Sequence, residues 1–564
     1  MIRRFGKVGI FILLIILTII EKTNSQFVYP ILHPLKFSGT YGELRPNHFH
    51  NGIDLKIDRS LNTNYVVAVM EGIVRRINVA PDGYGNLLII DHPNGFSSLY
   101  AHLDRFSADI QEIVRNYQSI NQTFEVNLDS LNIPVSQGQV IGVIGNSGAS
   151  NGPHLHFEIF NTATNHSYNP LLFGIKTIDT TTPVFQKLKT IGLDDEYNQL
   201  NNKTYNLKKI KNDSFALTVD TLYYGADQVG FDIMGYDIVS GTTNHNGIYK
   251  LSIKVDSIPV FAFTMNNLNQ NLNSHYKAHI DQKEYLNTGK IYHRLFKLPG
   301  NELDIYDISS ENSKIRIDTS KVRLIEIIAE DFDGNISKLK FHIKRDTTTL
   351  KVNKPKFNYQ IESEKKYEIA DTDLKLKFAE NSFFKKTYLN LTKPDSSLYS
   401  AQIKIDINNE AFKNPADFYI KPLITDKYAD KLCIVKINGS KKKNIGGIMI
   451  DGYMYAKISE EGTFVLLPDT IAPTLKALNF STNMKKKDRF IFSVTDNFSS
   501  GLTVPHLKAS GFIDDQWVLF EYDKKYRSLV YKFDKNLKPG KHSLKLIVED
   551  TRGNKTEFLK DFIR

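Results

Sequence analysis

The sequence predicts a mainly β chain of several domains, and three observations support this fold class. The chain has 35 Phe and 28 Tyr but a single Trp, and aromatic and β-branched residues favour strands. Short alternating runs are separated by turn sequences such as Pro81-Asp82-Gly83. A hairpin signature, Glu-Asp-x-x-Gly-Asn, occurs at residues 330–335 and again at 549–554. At roughly 100–200 residues per domain, the 564 residues form about three to five domains.

The N-terminus has the pattern of an export signal. A positively charged start precedes the apolar run Val8–Ile20, and the small residues Thr23 and Ser25 follow where a signal peptidase cuts. The apolar run is shorter than the roughly 20 residues of a membrane span. We therefore predict that residues 1–25 are a cleaved signal peptide, with an uncleaved anchor as the alternative. The mature chain is expected in the periplasm or cell envelope, or secreted, without a transmembrane segment.

Residues 26–178 form the first predicted domain, an antiparallel β-sheet with a helical insertion. Between Phe106 and Pro134 the apolar residues recur at helical spacing, which predicts an inserted helix and loop. The strands around the insertion are predicted from alternation and flanking turns. They are Tyr65–Met70, Gly72–Val79, Asn86–Asp91, Ser98–His102, Gln139–Gly145 and His154–Phe160.

A weak internal repeat organises the rest of the chain. Asp179-Thr180-Thr181-Thr182-Pro183 and Asp469-Thr470-Ile471-Ala472-Pro473 begin two segments that end at the two hairpin signatures. The pattern resembles bacterial immunoglobulin-like β-sandwich domains. It predicts an immunoglobulin-like region with insertions over 179–347 and an immunoglobulin-like domain over 468–564. Residues 348–467 are predicted to be a β-rich domain of uncertain type.

Charge and cysteine content limit the kinds of site. The formal net charge is +10, which indicates Lys-rich surfaces or a polyanionic partner. No nucleic-acid-binding motif accompanies the charge, so no nucleic-acid partner is predicted. The single cysteine, Cys433, excludes a disulfide within the chain and a cysteine zinc ribbon. Any metal must therefore be held by histidines and carboxylates, and Cys433 is expected to be buried in a strand.

Two short segments place histidines and carboxylates on shared strand faces. In the run from His50 to Asp58, Asp54 lies on the face opposite an apolar row, with His50 in the preceding loop. From Gly152 to Ile159, His154 and His156 point to one face and the apolar residues to the other. His102 lies at the end of a further strand.

These residue types are suited to a catalytic zinc ion. Such a zinc takes three His or carboxylate ligands and keeps one position open for water. It lowers the pKa of that water, while nearby neutral histidines take or donate protons. The five residues His50, Asp54, His102, His154 and His156 supply these parts. Periodicity alone does not say which member of the His154-x-His156 pair binds the metal.

The motifs resemble the LytM/lysostaphin-type zinc metallopeptidases, which cut peptidoglycan cross-bridges. The resemblance covers about residues 45–160. It rests on His50-x-x-x-Asp54, Tyr100-Ala101-His102-Leu103, Gln137-Gly138-Gln139-Val140-Ile141-Gly142 and Gly152-Pro153-His154-Leu155-His156-Phe157. The resemblance implies that His50, Asp54 and His156 are the Zn²⁺ ligands and that His102 and His154 are the catalytic histidines.

Three features need separate interpretation. The Phe106–Pro134 segment is longer than the loop common in this family, so we expect it to border or cover the substrate groove. His48 is interpreted as a groove or outer-sphere residue, and His92 as a structural residue.

The predicted function is therefore an exported zinc metalloendopeptidase acting on peptidoglycan stem peptides or cross-links. The bond is either a D-Ala to diaminopimelate cross-link or a glycine bridge. Cell-wall or envelope proteins are expected partners of the β-sandwich domains. One alternative is an occluded or non-catalytic wall-binding protein that activates other hydrolases, and a second is a zinc peptidase acting on Gly-rich proteins.

Overall fold

Short strands make up most of the chain, which confirms the mainly β fold class. The computed structural model describes residues 27–211, 213–309, 313–347, 356–423, 428–500 and 507–564. The predicted signal peptide, residues 1–25, lies outside this part of the chain. Among the residues described, none of the helices is both long and apolar enough to cross a bilayer.

The metal-site region, residues 27–178, contains strands β1–β12 and helix α1 (Ala108–Asn121), with a 3-10 turn at Pro170–Phe173. The insertion is helical as predicted, since Ile110, Val114 and Gln118 form one buried stripe along α1. The strands are, in order, Phe37–Gly39, Ile53–Lys56, Tyr65–Val67, Gly72–Val79, Leu87–Asp91, Phe96–Ala101, Leu103–Phe106, Val126–Leu128, Ile133–Val135, Val140–Ile144, His154–Asn161 and His166–Tyr168.

One large antiparallel sheet carries this region. Its strand order is β1-β2-β11-β6-β5-β4-β8, with β9 also paired to β4 and β12 to β11. A small second sheet has the order β3-β10-β7. The strand that carries the His-x-His pair, β11, is therefore central, between β2 and β6.

The second region, residues 179–347, contains β13–β26 and the helices α2 (Tyr276–His279) and α3 (Gln282–Thr288), with a 3-10 turn at Gln270–His275. Its strands form a five-stranded and an eight-stranded sheet, apart from β21. The strands are, in order, Val184–Leu193, Gln199–Asn206, Lys208–Lys211, Ser214–Ala216, Thr221–Tyr224, Gln228–Tyr236, Lys250–Val255, Ile258–Thr264, Asn267–Asn269, His293–Arg294, Tyr306–Ser309, Ile315–Arg316, Arg323–Glu330 and Ile336–Arg345.

The metal-site region and the second region share both a sheet and a core. Strand β21 pairs with β12 of the metal-site sheet, with Leu268 opposite Ser167. Phe49, which precedes the predicted ligand His50, is fully buried against the rings of Tyr276 and His279. A single hydrophobic cluster runs from Phe27 to Ile343. Residues 267–279 of the second region therefore pack directly against the metal-site region.

The third region, residues 356–468, packs six strands of a seven-stranded sheet against a five-stranded sheet around its own core, and the seventh strand comes from the fourth region. Phe418 and Phe464 face each other across the two sheets, with ring centroids 5.4 Å apart. Cys433 is buried in β33 as expected. Strands β27–β37 are Tyr359–Ile361, Tyr367–Ala370, Leu374–Phe378, Thr387–Thr392, Ile403–Asp406, Ala416–Ile420, Leu432–Asn438, Lys441–Gly446, Ile448–Ile450, Tyr453–Ile458 and Gly462–Pro468, and Ala429–Lys431 is a 3-10 turn.

The fourth region, residues 469–564, consists of two four-stranded sheets, of order β38-β39-β44-β43 and β42-β41-β45-β46. Its core is separate, and Phe492 and Phe558 meet across it. Strands β38–β46 are Thr474–Ala477, Arg489–Thr495, Ser499–Ser500, Lys508–Ile513, Gln516–Val518, Glu521–Asp523, Ser528–Lys532, Lys541–Glu549 and Lys555–Ile563. Short β40 pairs instead with β34 of the third region.

Candidate metal centre

The register of three neighbouring strands brings the predicted ligands together. On β11, His156 lies directly opposite Asp54 of β2 and, on its other side, opposite Ala101 of β6. His102 follows Ala101 immediately. Residues separated by about a hundred positions in sequence therefore meet because an antiparallel sheet places cross-strand partners roughly 5 Å apart.

Three side-chain atoms converge on one point. His50 Nε2 lies 3.0 Å from Asp54 Oδ1 and 2.9 Å from His156 Nδ1, and His156 Nδ1 lies 3.1 Å from Asp54 Oδ1. All three residues are buried. Tetrahedral zinc with bonds of about 2.0–2.1 Å holds its ligand atoms roughly 3.3 Å apart. The triangle is therefore close to the size and donor chemistry of a zinc site, and these three residues form a candidate metal site.

Outer partners orient both histidines of the candidate metal site. His50 Nδ1 donates to the carbonyl oxygen of Thr40 at 2.7 Å. His156 Nε2 lies 2.8 Å from Glu158 Oε1, which also accepts the hydroxyl of Tyr84 at 2.5 Å. A histidine ligand that gives its other ring nitrogen to an oxygen is fixed in tautomer and orientation. His50 therefore presents Nε2, and His156 presents Nδ1, to the centre.

The electrostatics of the site depend on paired charges. Burial raises the pKa of Asp54, but His50 and hydrogen bonds from the neighbouring histidines outweigh it and hold the pKa well below its usual range. The other carboxylate oxygen, Oδ2, accepts Arg45 Nη2 at 2.6 Å. Burial lowers the pKa of His156, yet hydrogen bonds to Asp54 and Glu158 raise it to about 9. A metal ion at this site would therefore compete with a proton on His156.

His102 and His154 flank the centre on the groove side. His102 has a left-handed backbone with φ of 60°, which is uncommon for a non-glycine residue and directs its ring into the groove. Its Nδ1 donates to Ser147 O at 2.9 Å, and its ring lies 4.9 Å from that of His154. Burial and the neighbouring charges of His156 and His154 lower the pKa of His102 to about 3. Its imidazole is therefore neutral at physiological pH.

His154 is held by the turn that precedes β11. Its Nδ1 donates to Gly152 O at 2.8 Å, and its Nε2 lies 3.4 Å from Asp54 Oδ1. The side chain is 17% exposed, more than that of His156. His154 therefore faces the groove, while His156 lies behind it as the buried member of the pair.

A groove of about 1180 Å³ opens over these residues. Its walls come from the 36–60 segment, the Gly83–Tyr84 turn and the 149–156 segment, with Asn244 of the second region at one edge. Asn244 accepts a hydrogen bond from Lys56 Nζ at 2.6 Å. The basic side chains on the wall are Lys36, Arg45, Lys56 and Arg59.

The helical insertion does not cover this groove, so that expectation was wrong. None of the residues lining the groove comes from 106–134. The buried stripe of α1 packs into the core of the metal-site region, and its exposed face meets the fourth region, where Arg115 pairs with Glu521 at 3.2 Å. The long insertion therefore contacts the fourth region.

Two further histidines lie as interpreted from the sequence. His48 lines the groove and its Nδ1 lies 2.6 Å from Asn47 Oδ1. His92 is buried, with Nδ1 on Glu71 O and Nε2 on Ser98 Oγ. Sequence reasoning missed the contacts of Arg45 and Tyr84 and the role of Glu158, although Glu158 shares the strand face of His156.

The family model described as Peptidase family M23 matches residues 48–126 and 121–170. This segment is a peptidase family M23 domain. The match includes His50, Asp54, His102, His154 and His156. A second family model, the Zu5-like domain, matches residues 358–469, which corresponds to the third region.

Relatives of the M23 domain include named proteins. The DD-carboxypeptidase/endopeptidase Mpg of Neisseria meningitidis is 30% identical over 163 residues, covering 28% of this chain and 29% of Mpg. The chain thus matches under a third of the length of this relative. A zinc-containing peptidase from Vibrio cholerae is 22% identical over 27% of this chain and 40% of its own, with a TM-score of 0.20. The catalytic domain of lysostaphin from Staphylococcus simulans is 21% identical over 25% and 91%, with a TM-score of 0.19.

Proposed function

We propose that the chain is an exported zinc metalloendopeptidase that hydrolyses peptide bonds in peptidoglycan stem peptides or cross-links. The observation that carries this proposal is the convergence of His50 Nε2, Asp54 Oδ1 and His156 Nδ1 beside two further histidines in an open groove. Membership of the M23 peptidase family supports it.

The residues fit zinc better than a hard cation. Two imidazole nitrogens and one carboxylate oxygen are typical of catalytic zinc, whereas Mg²⁺ and Ca²⁺ prefer oxygen ligands alone. His50, Asp54 and His156 are the proposed ligands. When bound, zinc lowers the pKa of water and polarises the scissile carbonyl.

The chain's own residues supply proton transfer and positioning. His102 and His154 each donate Nδ1–H to a backbone carbonyl. Nε2 of His102 is thereby available to the groove, and Nε2 of His154 lies at the edge of the candidate metal site, 3.4 Å from Asp54 Oδ1. A neutral Nε2 can accept a proton during attack and return it to the departing amine. The two rings are close enough to act on opposite sides of one peptide bond. Once protonated, either ring can also stabilise the developing oxyanion.

The groove favours an anionic peptide. Lys36, Lys56 and Arg59 place positive charge along the wall, whereas the charge of Arg45 is paired with Asp54, and stem peptides carry free carboxylates. Mpg, the relative from Neisseria meningitidis, is described as a DD-carboxypeptidase/endopeptidase. We therefore propose a D-Ala to diaminopimelate cross-link as the substrate bond, with a glycine bridge as the alternative.

Digestion of purified cross-linked peptidoglycan tests this function. The protein is incubated with the substrate with and without a zinc chelator, and released muropeptides are measured by mass spectrometry. We expect loss of cross-linked dimers that the chelator blocks. Intact dimers in the presence of metal-loaded protein would instead support the non-catalytic wall-binding alternative.

Three histidine variants separate the proposed roles. His156→Ala is expected to lose both bound zinc and activity, because it removes a ligand. His102→Ala should keep zinc and lose turnover by about 10²–10⁴-fold, the usual contribution of an acid–base group. His342→Ala, an exposed histidine on β26, is the control and should change neither. Full activity in His156→Ala protein, measured beside its zinc content, would overturn the ligand assignment.

A further inference from the structure

Three aspartates meet where the metal-site region joins the second region. Asp179 lies in the connecting segment, Asp237 directly follows β18, and Asp331 begins the turn between β25 and β26. One carboxylate oxygen from each lies within 4.8 Å of those of the other two. Three carboxylates at this distance repel one another strongly unless a proton or a cation is bound between them.

A second cluster with the same construction joins the third region to the fourth. Asp469 lies in the connecting segment, Asp496 directly follows β39, and Asp550 begins the turn between β45 and β46. Each aspartate occupies the same place in its region as its counterpart in the first cluster. The internal repeat in the sequence therefore repeats a carboxylate cluster as well as a hairpin.

The hydrogen bonds that position the two clusters are also matched. The backbone N–H of Asn335 donates to Asp331 Oδ1 at 2.8 Å, and its side chain donates to Asp179 O at 3.0 Å. In the second cluster, Asn554 donates in the same way to Asp550 Oδ1 at 2.9 Å and to Asp469 O at 2.9 Å. Two of the three acidic segments are thus held in fixed relation by one asparagine.

Buried carboxylate oxygens in both clusters have no hydrogen-bond partner among the residues described. Asp469 is fully buried, and neither of its oxygens makes a hydrogen bond of normal geometry. The pKa of Asp469 is raised, because burial outweighs the lowering effect of the side chain of Asn497 and the backbone of Ile471. Asp237 is 5% exposed and its Oδ1 is likewise unpartnered. A carboxylate buried in this way is costly without a counter-charge.

Burial and mutual repulsion raise the pKa of an aspartate in each cluster. Burial, with repulsion from Asp331 and Asp179, raises the pKa of Asp237 to about 8. Burial and repulsion from Asp469 and Asp550 raise the pKa of Asp496 to about 6. In the part of the chain that the structure describes, few basic side chains lie near either cluster to balance this charge.

The basic residues near the two clusters differ, and Lys431 of the third region also approaches the second cluster, where its Nζ donates to Arg552 O. In the first, Lys176 pairs with Asp333, a fourth acidic residue in the turn, at 3.3 Å. In the second, Arg552 takes the position of Asp333, donates to Gly447 O at 3.0 Å and lowers the pKa of Asp469. The first cluster is therefore the more negative one.

The first cluster also lines a cavity. The cavity measures about 40 Å³ and is bounded by the three aspartates together with residues of the metal-site region, among them Phe37 and Thr40. About 10–15 Å³ of such volume already accommodates one water molecule. The cavity therefore has room for one ion and part of its hydration.

We propose that each tri-aspartate cluster binds one Ca²⁺ ion, which fixes the connecting segment at the start of a region to the strand end and the hairpin turn of that same region. Oxygen-only ligands from loops match the preference of Ca²⁺, whereas zinc would require His or Cys and Mg²⁺ requires a stricter octahedral geometry. The first cluster should bind more tightly, because Arg552 partly neutralises the second. This cation role is independent of the proposed peptidase centre.

Calcium titration of the full chain tests the proposal. The protein carries His156→Ala to remove the zinc centre, is stripped with chelator, and is titrated with Ca²⁺ in a calorimeter. We expect two ions per chain, with one lost in Asp237→Asn, one lost in Asp496→Asn, and both lost in the double variant. Asp227→Asn, which removes a carboxylate of the second region that is 71% exposed, is the control and should keep two.

Thermal unfolding gives a second readout, because Asp237→Asn should change the midpoint temperature in opposite directions in chelator and in excess Ca²⁺. In a calcium chelator, Asp237→Asn should raise the midpoint temperature, because it removes a buried carboxyl group that the folded chain has to keep protonated at a cost in stability. In excess Ca²⁺ the unsubstituted chain should be the more stable, because the ion binds the folded state. Absence of binding at dissociation constants up to about 1 mM, or the same stability order in both buffers, would overturn the proposal. Binding of Mg²⁺ in place of Ca²⁺ would overturn the choice of ion.

Discussion

At the scale of single residues, the candidate metal centre is shaped by groups other than the three proposed ligands. Glu158 lies two residues beyond His156 on the same strand face, is buried, and contacts both His156 and Tyr84. Strand periodicity put Asp54, His154 and His156 on polar strand faces, and the resemblance to the LytM/lysostaphin-type peptidases grouped them with His50 and His102. The carbonyl oxygens of Thr40 and Ser147 could not be predicted, because a backbone oxygen carries no signature of residue type.

Replacing Glu158 tests this outer contact. Glu158→Gln removes the negative charge that holds His156 Nε2–H, so we expect zinc affinity to fall by about 10–100-fold. Competition with a chromophoric chelator measures the affinity. His342→Ala serves again as the control, and an unchanged affinity for Glu158→Gln would show that the carboxylate does not support the ligand.

Asp237 gives a pH dependence with a defined sign. Its pKa of about 8 in the folded chain lies above its ordinary value of 3.8, so the folded state holds a proton that the unfolded state releases. The free energy of unfolding of calcium-free protein should therefore fall as pH rises from about 4 to about 8. Urea unfolding across this range measures it. Asp237→Asn should reduce the slope, and a slope that is equal in the variant would contradict the assignment to Asp237.

At the scale of secondary-structure elements, local sequence signals predicted where strands lie but not which distant strands pair. Gly72–Val79 was predicted with the bounds that the structure has, because turns on both sides limit the strand. The pairing of β21 with β12 joins residues about a hundred positions apart. Such pairing depends on register and packing between distant segments, which a single sequence does not display.

Helix α1 provides a test at this scale. Ile110 is fully buried on the helix, whereas Ile120 is 81% exposed. Ile110→Ala should lower the free energy of unfolding by about 2–5 kcal/mol, while Ile120→Ala should have little effect. Because α1 does not line the groove, peptidase activity per folded molecule should be unchanged in both. Loss of activity in correctly folded Ile110→Ala protein would show that the insertion reaches the substrate.

At the scale of the whole molecule, the fourth region contacts the metal-site region. The turn after β43 in the fourth region contacts two loops of the metal-site region. Lys524 pairs with Asp82 at 2.9 Å, and Lys525 donates to the carbonyl oxygen of Asn146. The neighbouring Ser147 supplies the carbonyl that holds His102. The last region therefore supports the wall of the proposed active site through one loop.

Reversing one charge tests this support. Lys524→Glu replaces the attraction to Asp82 by repulsion, so amide hydrogen exchange in residues 81–85 and 146–148 should become faster. Turnover should fall with it, because His102 loses its fixed orientation, while the zinc content should stay constant. Lys535→Glu, an exposed lysine elsewhere in the same region, is the control. Exchange that is equally slow in both variants would show that the turn does not brace these loops.

The shared sheet of the first two regions also affects how such a protein can evolve. A catalytic unit that closes its own sheet can be cut out by recombination and joined to a new binding module. Here the fragment 27–178 would expose the edge of β12 and the face around Phe49 that Tyr276 and His279 cover, and open edges and apolar faces promote aggregation. The unit that can be inherited, duplicated or transplanted is therefore the first two regions together.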